Sequence, residues 1–174
     1  MKKVVFRYGI YAGLAIVVFT GIHFFFLPKI SWEASEIAGY LSIILSMIFV
    51  FMGIRYYRNH VNNGFLSFGQ GLKIGVLIVL VPSIAFGLFD LLYTEVLNPS
   101  WGDDYYGYQI QKIKETAPAD QVEAKLQKLQ EQKEMFGNPV FQFLLMALTV
   151  FIIGFIVTII SSLALMRKKK TATA

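Results

Sequence analysis

The stretch GIRYYRNHVNNGFLSFGQGLKIG, residues 53–75, is a short basic and aromatic loop between two long apolar runs. Arg55 and Arg58 lie near its start, and Asn63-Gly64 lies at the centre of its polar turn. Basic residues concentrated in a short loop between apolar runs are typical of the cytoplasmic side of a membrane. The loop therefore predicts a membrane protein and the orientation of the segments around it.

The composition of the whole chain points to lipid as its main solvent. Of its 174 residues 56% are hydrophobic and 16% are charged, and the mean hydropathy is +0.57. Soluble domains have about a quarter of their residues charged. The net charge of +5 is concentrated near apolar runs, which predicts contact with anionic lipid headgroups and not with nucleic acid. The absence of cysteine excludes disulfides and thiolate metal sites.

Four apolar runs are long enough to cross a bilayer as helices, which needs about 20 residues each. The predicted helices are 8–27, 37–56, 74–97 and 139–166, and Pro28 is expected to end the first. A signal peptide is the alternative for the first run, but its apolar core would be shorter and a small-residue cleavage site would follow. The predicted fold class is an all-α, four-helix polytopic membrane bundle, with residues 1–174 as a single membrane domain.

Small residues recur at helical spacing within these runs and predict close packing between helices. Gly9 and Gly13 form one GxxxG pair and Gly71 and Gly75 form another. Two further small-residue faces are predicted, one at Ala38, Ser42 and Ser46 and the other at Gly154, Thr158 and Ser162. Pro82 predicts a kink in the third helix because it removes a backbone donor and crowds the preceding turn.

Residues 98–138 form a polar insertion between the third and fourth helices. Pro118 suits the first turn of a helix, and a stripe of apolar residues follows it at spacings of three and four. That stripe, interrupted at Lys133, consists of Val122, Leu126, Leu129 and Phe136. The ends of its own bundle, the lipid interface or another protein could cover it. The heptad-like spacing favours a partner helix, from a second copy or from another membrane protein.

The distribution of Lys and Arg predicts which side of the membrane each segment faces. With both termini in the cytoplasm, ten of the sixteen cations lie on the inner side: Lys2, Lys3, Arg7, Arg55, Arg58, Lys73, Arg167, Lys168, Lys169 and Lys170. The other six include five in the insertion, and long segments follow the positive-inside rule less strictly. The insertion 98–138 is therefore predicted to lie on the outer face of the cytoplasmic membrane.

No enzyme motif is complete, so the sequence predicts no catalytic, cofactor-binding or metal residues and a protein that is not an enzyme. Gly64 and Gly69 have phosphate-loop spacing, but Gln70-Gly71 follows where Lys and Ser or Thr are required. Neither HExxH nor G-x-S-x-G occurs.

Asp90 is the strongest candidate for a functional site because it carries a formal charge and lies well inside an otherwise apolar predicted span. At 1.5 Å per residue it lies roughly 25 Å from Lys73, near the outer boundary, where His23 could pair with it. A carboxylate at this depth is most simply an interfacial group that is hydrated from outside or capped by a neighbour, and the alternative is part of a proton or ion path. Two functions follow: an accessory subunit of a larger membrane assembly, or a small transporter or channel using Asp90 and His23.

The loop resembles the signature of the domain-of-unknown-function 4199 family of small bacterial inner-membrane proteins, and the similarity covers nearly the whole chain. The motif positions it shares are Gly53, Arg55, Tyr57, Arg58, Asn63, Gly64, Ser67, Phe68, Gly71 and Gly75. The resemblance implies a multi-pass protein of the inner membrane and implies no activity. From the residues themselves, Ser67 is expected to cap the following helix, Asn63-Gly64 to allow a turn, and the motif to have a structural role.

Overall fold

A computed structural model describes residues 1–26 and 31–167 of the chain. These residues contain no strand, and four helical stretches are long and apolar enough to cross a membrane. They are Lys2–Phe25, Trp32–Val61, Phe68–Leu97 and Pro139–Leu165. The all-α class and the four candidate spans are confirmed. The predicted helix end at Leu27-Pro28 and the basic run Lys168–Lys170 lie outside the described residues.

Seven α-helices and three short turns of helix make up this part of the chain. The α-helices are α1 (Lys2–Phe26), α2 (Trp32–Ser46), α3 (Ile48–Tyr56), α4 (Phe68–Leu92), α5 (Trp101–Thr116), α6 (Val122–Phe136) and α7 (Pro139–Leu165). Turns of π-helix, Tyr57–Val61 and Tyr93–Leu97, follow α3 and α4, and a 3-10 turn, Ala119–Gln121, precedes α6. α1, α2 and α4 begin before the predicted positions because the prediction counted uncharged residues, whereas polar and basic residues extend a helix beyond the apolar core.

The second span is interrupted at Met47, where the sequence predicted one continuous helix. The Ser46 hydroxyl donates a hydrogen bond of 2.6 Å to the Ile43 carbonyl. The Met47 amide is shared between the carbonyls of Ile43 and Ile44, at 3.2 and 3.1 Å. A serine hydroxyl that bonds the preceding turn competes with the backbone ladder and bends a helix. The break is therefore caused by Ser46, for which the sequence predicted only a role in packing between helices.

Contacts within the chain group it into two compact units, and the single membrane domain expected from the sequence stays a prediction. The bundle unit comprises Met1–Phe86 and Ala147–Ala174, and the hairpin unit comprises Gly87–Met146. The interior of the bundle unit is built around fully buried apolar side chains, with Ile16, Met47, Ile54, Ile78 and Val150 at zero exposure. Large apolar side chains are also exposed on the outside of its helices, among them Phe6, Leu14, Ile44, Ile48, Ile156 and Ile160. Lipid is the solvent that suits such a surface.

Small residues bring the helices of the bundle unit into close contact, as the spacing predicted. A Cβ added to Gly71 would lie 2.7 Å from the Ser162 hydroxyl, and one added to Gly75 would lie 2.7 Å from the Thr158 hydroxyl. Both hydroxyls are buried without a hydrogen-bond partner in the described chain. Close approaches of the same kind join Gly9 to Val81 and Gly154 to Val79 and Met47. These small residues therefore pack against this chain's own helices.

Candidate functional site

The loop between α3 and α4 is fixed by side-chain contacts that the sequence encodes locally. The Ser67 hydroxyl accepts a hydrogen bond of 3.2 Å from the Gln70 amide, and the Gln70 side chain accepts one of 3.0 Å from the Ser67 amide. This reciprocal pair is a capping box, and it confirms Ser67 as the cap of α4. The Ser-x-x-Gln spacing was the signal for Gln70, which the sequence reasoning missed. Asn63 and Gly64 have φ of 52° and 83°, which confirms the predicted turn.

The same loop contacts the end of the last helix. Leu66 and Arg167 exchange two backbone hydrogen bonds of 3.1 and 2.9 Å. The Arg58 guanidinium donates a bond of 3.3 Å to the Leu165 carbonyl, which lies in the last turn of α7. The final carbonyls of a helix have no partner within the helix itself. The loop therefore supplies donors to the end of α7, and Arg58 has a structural contact in addition to its predicted place near the headgroups.

Three aromatic or cationic side chains stack beside this loop. The Arg7 guanidinium carbon lies 4.3 Å from the centre of the Tyr56 ring and 5.1 Å from that of Tyr8. The rings of Tyr56 and His60 stack at 4.4 Å with an angle of 15° between their planes. We call Arg7, Tyr56 and His60 the stacked cluster. It combines a residue of α1 with residues that come from α3 and from the turn that follows it.

Asp90 belongs to a polar trio in the hairpin unit. The Gln142 side-chain amide donates to the Asp90 carboxylate at 2.7 Å and to the Thr94 hydroxyl at 2.9 Å. The Thr94 hydroxyl in turn donates to the Asp90 backbone carbonyl at 3.0 Å. Gln142 is 6% exposed and lies in the first turn of α7, which the Asn138 side chain caps. Asp90 is thus held at the level where α7 begins, and its carboxylate has a neutral donor as partner.

His23 is buried in the bundle unit without a partner for one ring nitrogen. It is 6% exposed, its ring stacks on Phe24 at 5.0 Å, and its Nδ1 has no hydrogen bond among the described residues. Thr20, three positions earlier on α1, is 2% exposed and its hydroxyl also lacks a partner. The pairing of His23 with Asp90 stays a prediction. The hydrogen-bond partner of Asp90 is Gln142, which is 52 residues away in sequence. The one sequence signal for Gln142 is that it is a polar residue within an uncharged run.

The polar insertion contains two helices, whereas the sequence predicted one. Pro99 and Gly102 lie at the start of α5, and residues of these two types break a helix when they occur in its interior. Pro99 precedes α5 and Gly102 lies in its first turn, where neither residue disrupts an internal hydrogen bond. Asp103 and Asp104 in the first turn and Lys114 in the last complement the helix dipole. That distribution of charge was the signal for α5.

The helices α5 and α6 pack together along the predicted stripe of α6. Leu126 and Leu129 line a cleft of about 200 Å³ together with Tyr106 and Ile110 of α5. Lys133, which seemed to interrupt the stripe, forms an ion pair of 2.9 Å with Asp103 of α5 and lies 5.8 Å from the centre of the Tyr106 ring. The stripe residues Val122, Leu126, Leu129 and Phe136 are all half-buried. α5, which was not among the expected covers, therefore covers the middle of the stripe.

The electrostatics of the hairpin follow from these contacts. The ammonium group of Lys133 holds the pKa of the Asp103 carboxyl below its usual range. Burial raises the pKa of the Tyr106 hydroxyl. Both effects arise where the helices meet, so the charged pair and the ring belong to one interhelical contact.

A family model described as "Protein of unknown function (DUF4199)" matches residues 7–167, nearly the whole chain. The chain belongs to the DUF4199 family. Comparison with curated proteins and with solved structures gives no match. Membership confirms the resemblance carried by the loop, and since the family has no known function it assigns no activity.

In this DUF4199 protein the predicted site residues occupy different units. The motif loop and His23 lie in the bundle unit, whereas Asp90 and the stripe of α6 lie in the hairpin unit. Over residues 1–26 and 31–167, no group of three His, Asp or Glu side chains could hold a metal ion. The arrangement therefore offers contacts that hold helices together and a folded hairpin on which a partner could bind.

Proposed function

We propose that this DUF4199 protein is a non-enzymatic accessory subunit of a larger assembly in the cytoplasmic membrane, and that it binds another membrane protein through α5 and α6. The observation that carries the proposal is the hairpin itself. These helices are not needed to cross the membrane, yet an ion pair and an apolar contact hold them in one defined arrangement. A folded element with no role in the spans suits recognition.

The surface available to a partner is the polar face of α6. The small-residue face at Gly71 and Gly75 packs against Ser162 and Thr158 within the bundle unit, so it is not free to contact a partner. On α6 the exposed side chains carry both signs of charge, with two lysines followed by two glutamates, at Lys125, Lys128, Glu131 and Glu134. Gln127 and Gln130 donate hydrogen bonds of 3.1 Å to Glu131 and Glu134, which orders part of this face. A partner surface of mixed charge would complement it.

The distribution of Lys and Arg supports an orientation with both termini in the cytoplasm and the hairpin outside. Ten of the sixteen Lys and Arg residues lie near the chain ends or in the loop. Lys and Arg in short loops and near the ends of spans are retained on the inner side during insertion, whereas Asp and Glu contribute little. The basic loop therefore belongs on the cytoplasmic side in this proposal.

The transport alternative depends on Asp90, because ionisable residues inside spans often mark ion paths. Its contact with Gln142 and Thr94 joins α4 to α7 and favours a structural role. Reconstitution into vesicles and comparison of wild type with Asp90→Asn tests the alternative. Ion flux in the wild type that is lost in the variant would establish transport and displace the accessory role.

A photo-crosslinking amino acid at Lys128 tests the proposed partner surface. Lys128 is exposed on α6, and Ile156, 52% exposed on α7, is the matched control position facing lipid. We expect one discrete protein adduct from Lys128 that is absent from Ile156. The same adduct should disappear in Leu126→Asp with Leu129→Asp, because the hairpin would open. Adducts with lipid alone at both positions would contradict the proposal, and an adduct with a second copy would identify a homo-oligomer instead.

A further inference from the structure

The stacked cluster carries a positive charge for which its neighbours provide no counter-charge. Arg7 contacts α3 through the Tyr56 ring, and His60 stacks on that same ring. The sequence contains no Asp or Glu in residues 1–32, 37–89 or 135–174. The segments that form and adjoin the cluster therefore contain no carboxylate, and neutralisation of Arg7 requires an anion from outside the chain.

A second cation lies one helical turn from Arg7. Lys3 and Arg7 are four positions apart on α1, so their side chains lie on the same face of the helix, and both are exposed. Like charges at this spacing destabilise a helix. An anion bound between Lys3 and Arg7 would attract both side chains and offset their mutual repulsion. The spacing of Lys3 and Arg7 is an observation separate from the contact between Arg7 and Tyr56, and both indicate an anionic ligand.

The stacking prepares Arg7 to bind a phosphate. A guanidinium has five N–H donors in a planar fork, so contact with one aromatic side chain leaves donors available for a further ligand. That planar fork matches two oxygens of a phosphate, whereas the ammonium of a lysine provides a point charge. Tyr56, stacked with His60, limits the orientations that the guanidinium can adopt.

The side chains below Arg7 on α1 suit the acyl chains of a lipid. Ile10, Leu14 and Val18 follow Arg7 at intervals of three and four residues, so they continue its face along the helix. They are 37%, 60% and 53% exposed, respectively. A phosphate held by Arg7 would therefore have an apolar, uncovered strip directly beneath it. A free phosphate would make no use of that strip.

We propose that the stacked cluster binds the headgroup phosphate of an anionic phospholipid, with Arg7 and Lys3 as phosphate ligands and Ile10, Leu14 and Val18 as the acyl-chain surface. The lipid is recognised by charge and by the planar geometry of the guanidinium. Tyr56 and His60 are positioning residues that act through Arg7. The proposal is a single lipid site on the bundle unit. It differs from a general attraction of the protein's basic residues to an anionic membrane surface.

Titration of the purified full-length protein in neutral detergent with phosphatidylglycerol tests the site. The readouts are the thermal unfolding temperature and the number of lipids retained in native mass spectrometry. We expect phosphatidylglycerol to bind and to raise the unfolding temperature, and phosphatidylcholine and inorganic phosphate to have no such effect at the same concentration. Arg7→Gln should weaken binding by about tenfold, the effect of losing one charge-assisted hydrogen-bonded contact.

Three variants separate geometry from charge. Arg55→Gln removes the same charge from an exposed position that lies outside the stacked cluster, and it should change binding by about twofold or less. Arg7→Lys keeps the charge and should bind nearly as weakly as Arg7→Gln. Tyr56→Leu keeps every charge and should also weaken binding, with helix content checked by circular dichroism.

Several outcomes would overturn the inference. Equal losses in Arg55→Gln and Arg7→Gln would show diffuse attraction, and wild-type binding by Arg7→Lys would show that the guanidinium plane has no role. Binding of inorganic phosphate as tight as that of the lipid would assign a phosphate site in place of a lipid site. Failure of phosphatidylglycerol to bind the folded wild type would remove the site altogether.

Discussion

At the scale of single residues, the contact between Gln142 and Asp90 joins the last part of α4 to the first turn of α7. Gln142→Leu would leave the Asp90 carboxylate without its donor and should lower the free energy of unfolding by about 1.5–3 kcal/mol. Asp90→Asn keeps an acceptor for Gln142 and should lower it by less than about 1 kcal/mol. Denaturant unfolding in detergent measures both. Equal losses would show that the charge matters more than the hydrogen bond.

Gly75 is the residue at which packing between α4 and α7 is most sensitive. A Cβ there would collide with the Thr158 side chain, whereas a Cβ on Gly69 of the same helix would meet nothing within 4 Å. Gly75→Ala should therefore lower the free energy of unfolding by about 1–3 kcal/mol, and Gly69→Ala should be neutral or stabilising by up to about 1 kcal/mol. Thr158→Ala should partly restore the Gly75→Ala variant. Equal effects of the two alanine substitutions would contradict this account of the interface.

Residues whose contacts are local in sequence were predictable, and residues whose contacts are distant were not. Ser67 and Asn63-Gly64 act within a few positions of themselves, so turn and cap chemistry identified them. Gln142 and Arg58 contact residues 52 and 107 positions away, respectively. No periodicity in one segment can identify such a partner. The sequence therefore indicated Asp90 without revealing what holds it.

At the scale of elements, α5 and α6 should unfold together when their contact is broken. Leu126→Asp with Leu129→Asp places two carboxylates where apolar side chains line the interhelical cleft. Hydrogen exchange should then accelerate throughout both helices while the spans stay protected, because each helix alone is marginal in water. The exposed pair Ala124→Asp with Lys128→Asp is the control and should leave protection unchanged. Persistent protection of α5 in the first variant would contradict the hairpin contact.

The ion pair between Asp103 and Lys133 makes one contact of the hairpin dependent on pH. Because Lys133 lowers the pKa of Asp103 in the folded state, the pair stabilises the hairpin above the usual aspartate pKa of 3.8 and loses that effect as the pH falls through the lowered value. An NMR titration of the Asp103 carboxyl should give a higher pKa in Lys133→Met than in the wild type. The same pKa in both proteins would show that the pair does not form in solution.

The two features that the sequence missed, α5 and the interruption at Met47, have different physical causes. α5 begins beside Pro99 and Gly102, and the interruption at Met47 follows an ordinary serine. Breaker residues act on the interior of a helix but are tolerated at its beginning, so their meaning depends on a boundary that the sequence does not mark. The bend after Ser46 depends on which carbonyl its hydroxyl selects. Composition alone cannot distinguish that choice from a packing role.

At the scale of the whole molecule, the fold class was predictable because lipid limits which structures a membrane-spanning segment can adopt. A chain that crosses lipid must satisfy its backbone internally, so long uncharged runs leave few alternatives to helices. The insertion is polar and is not subject to this constraint, which is why its second helix was overlooked. The proposed topology depends on a different observation, the distribution of Lys and Arg along the chain.

Single-cysteine labelling of intact cells tests that topology most directly, because the chain has no cysteine of its own. Val61 is 46% exposed in the basic loop and Gln121 is exposed before α6, so a cysteine at either position is accessible. Val61 is preferable to Asn62, whose side chain holds the loop through Phe65. An impermeant maleimide should label Gln121→Cys in intact cells and Val61→Cys only after permeabilisation. Labelling of Val61→Cys in intact cells with Gln121→Cys protected would contradict the account.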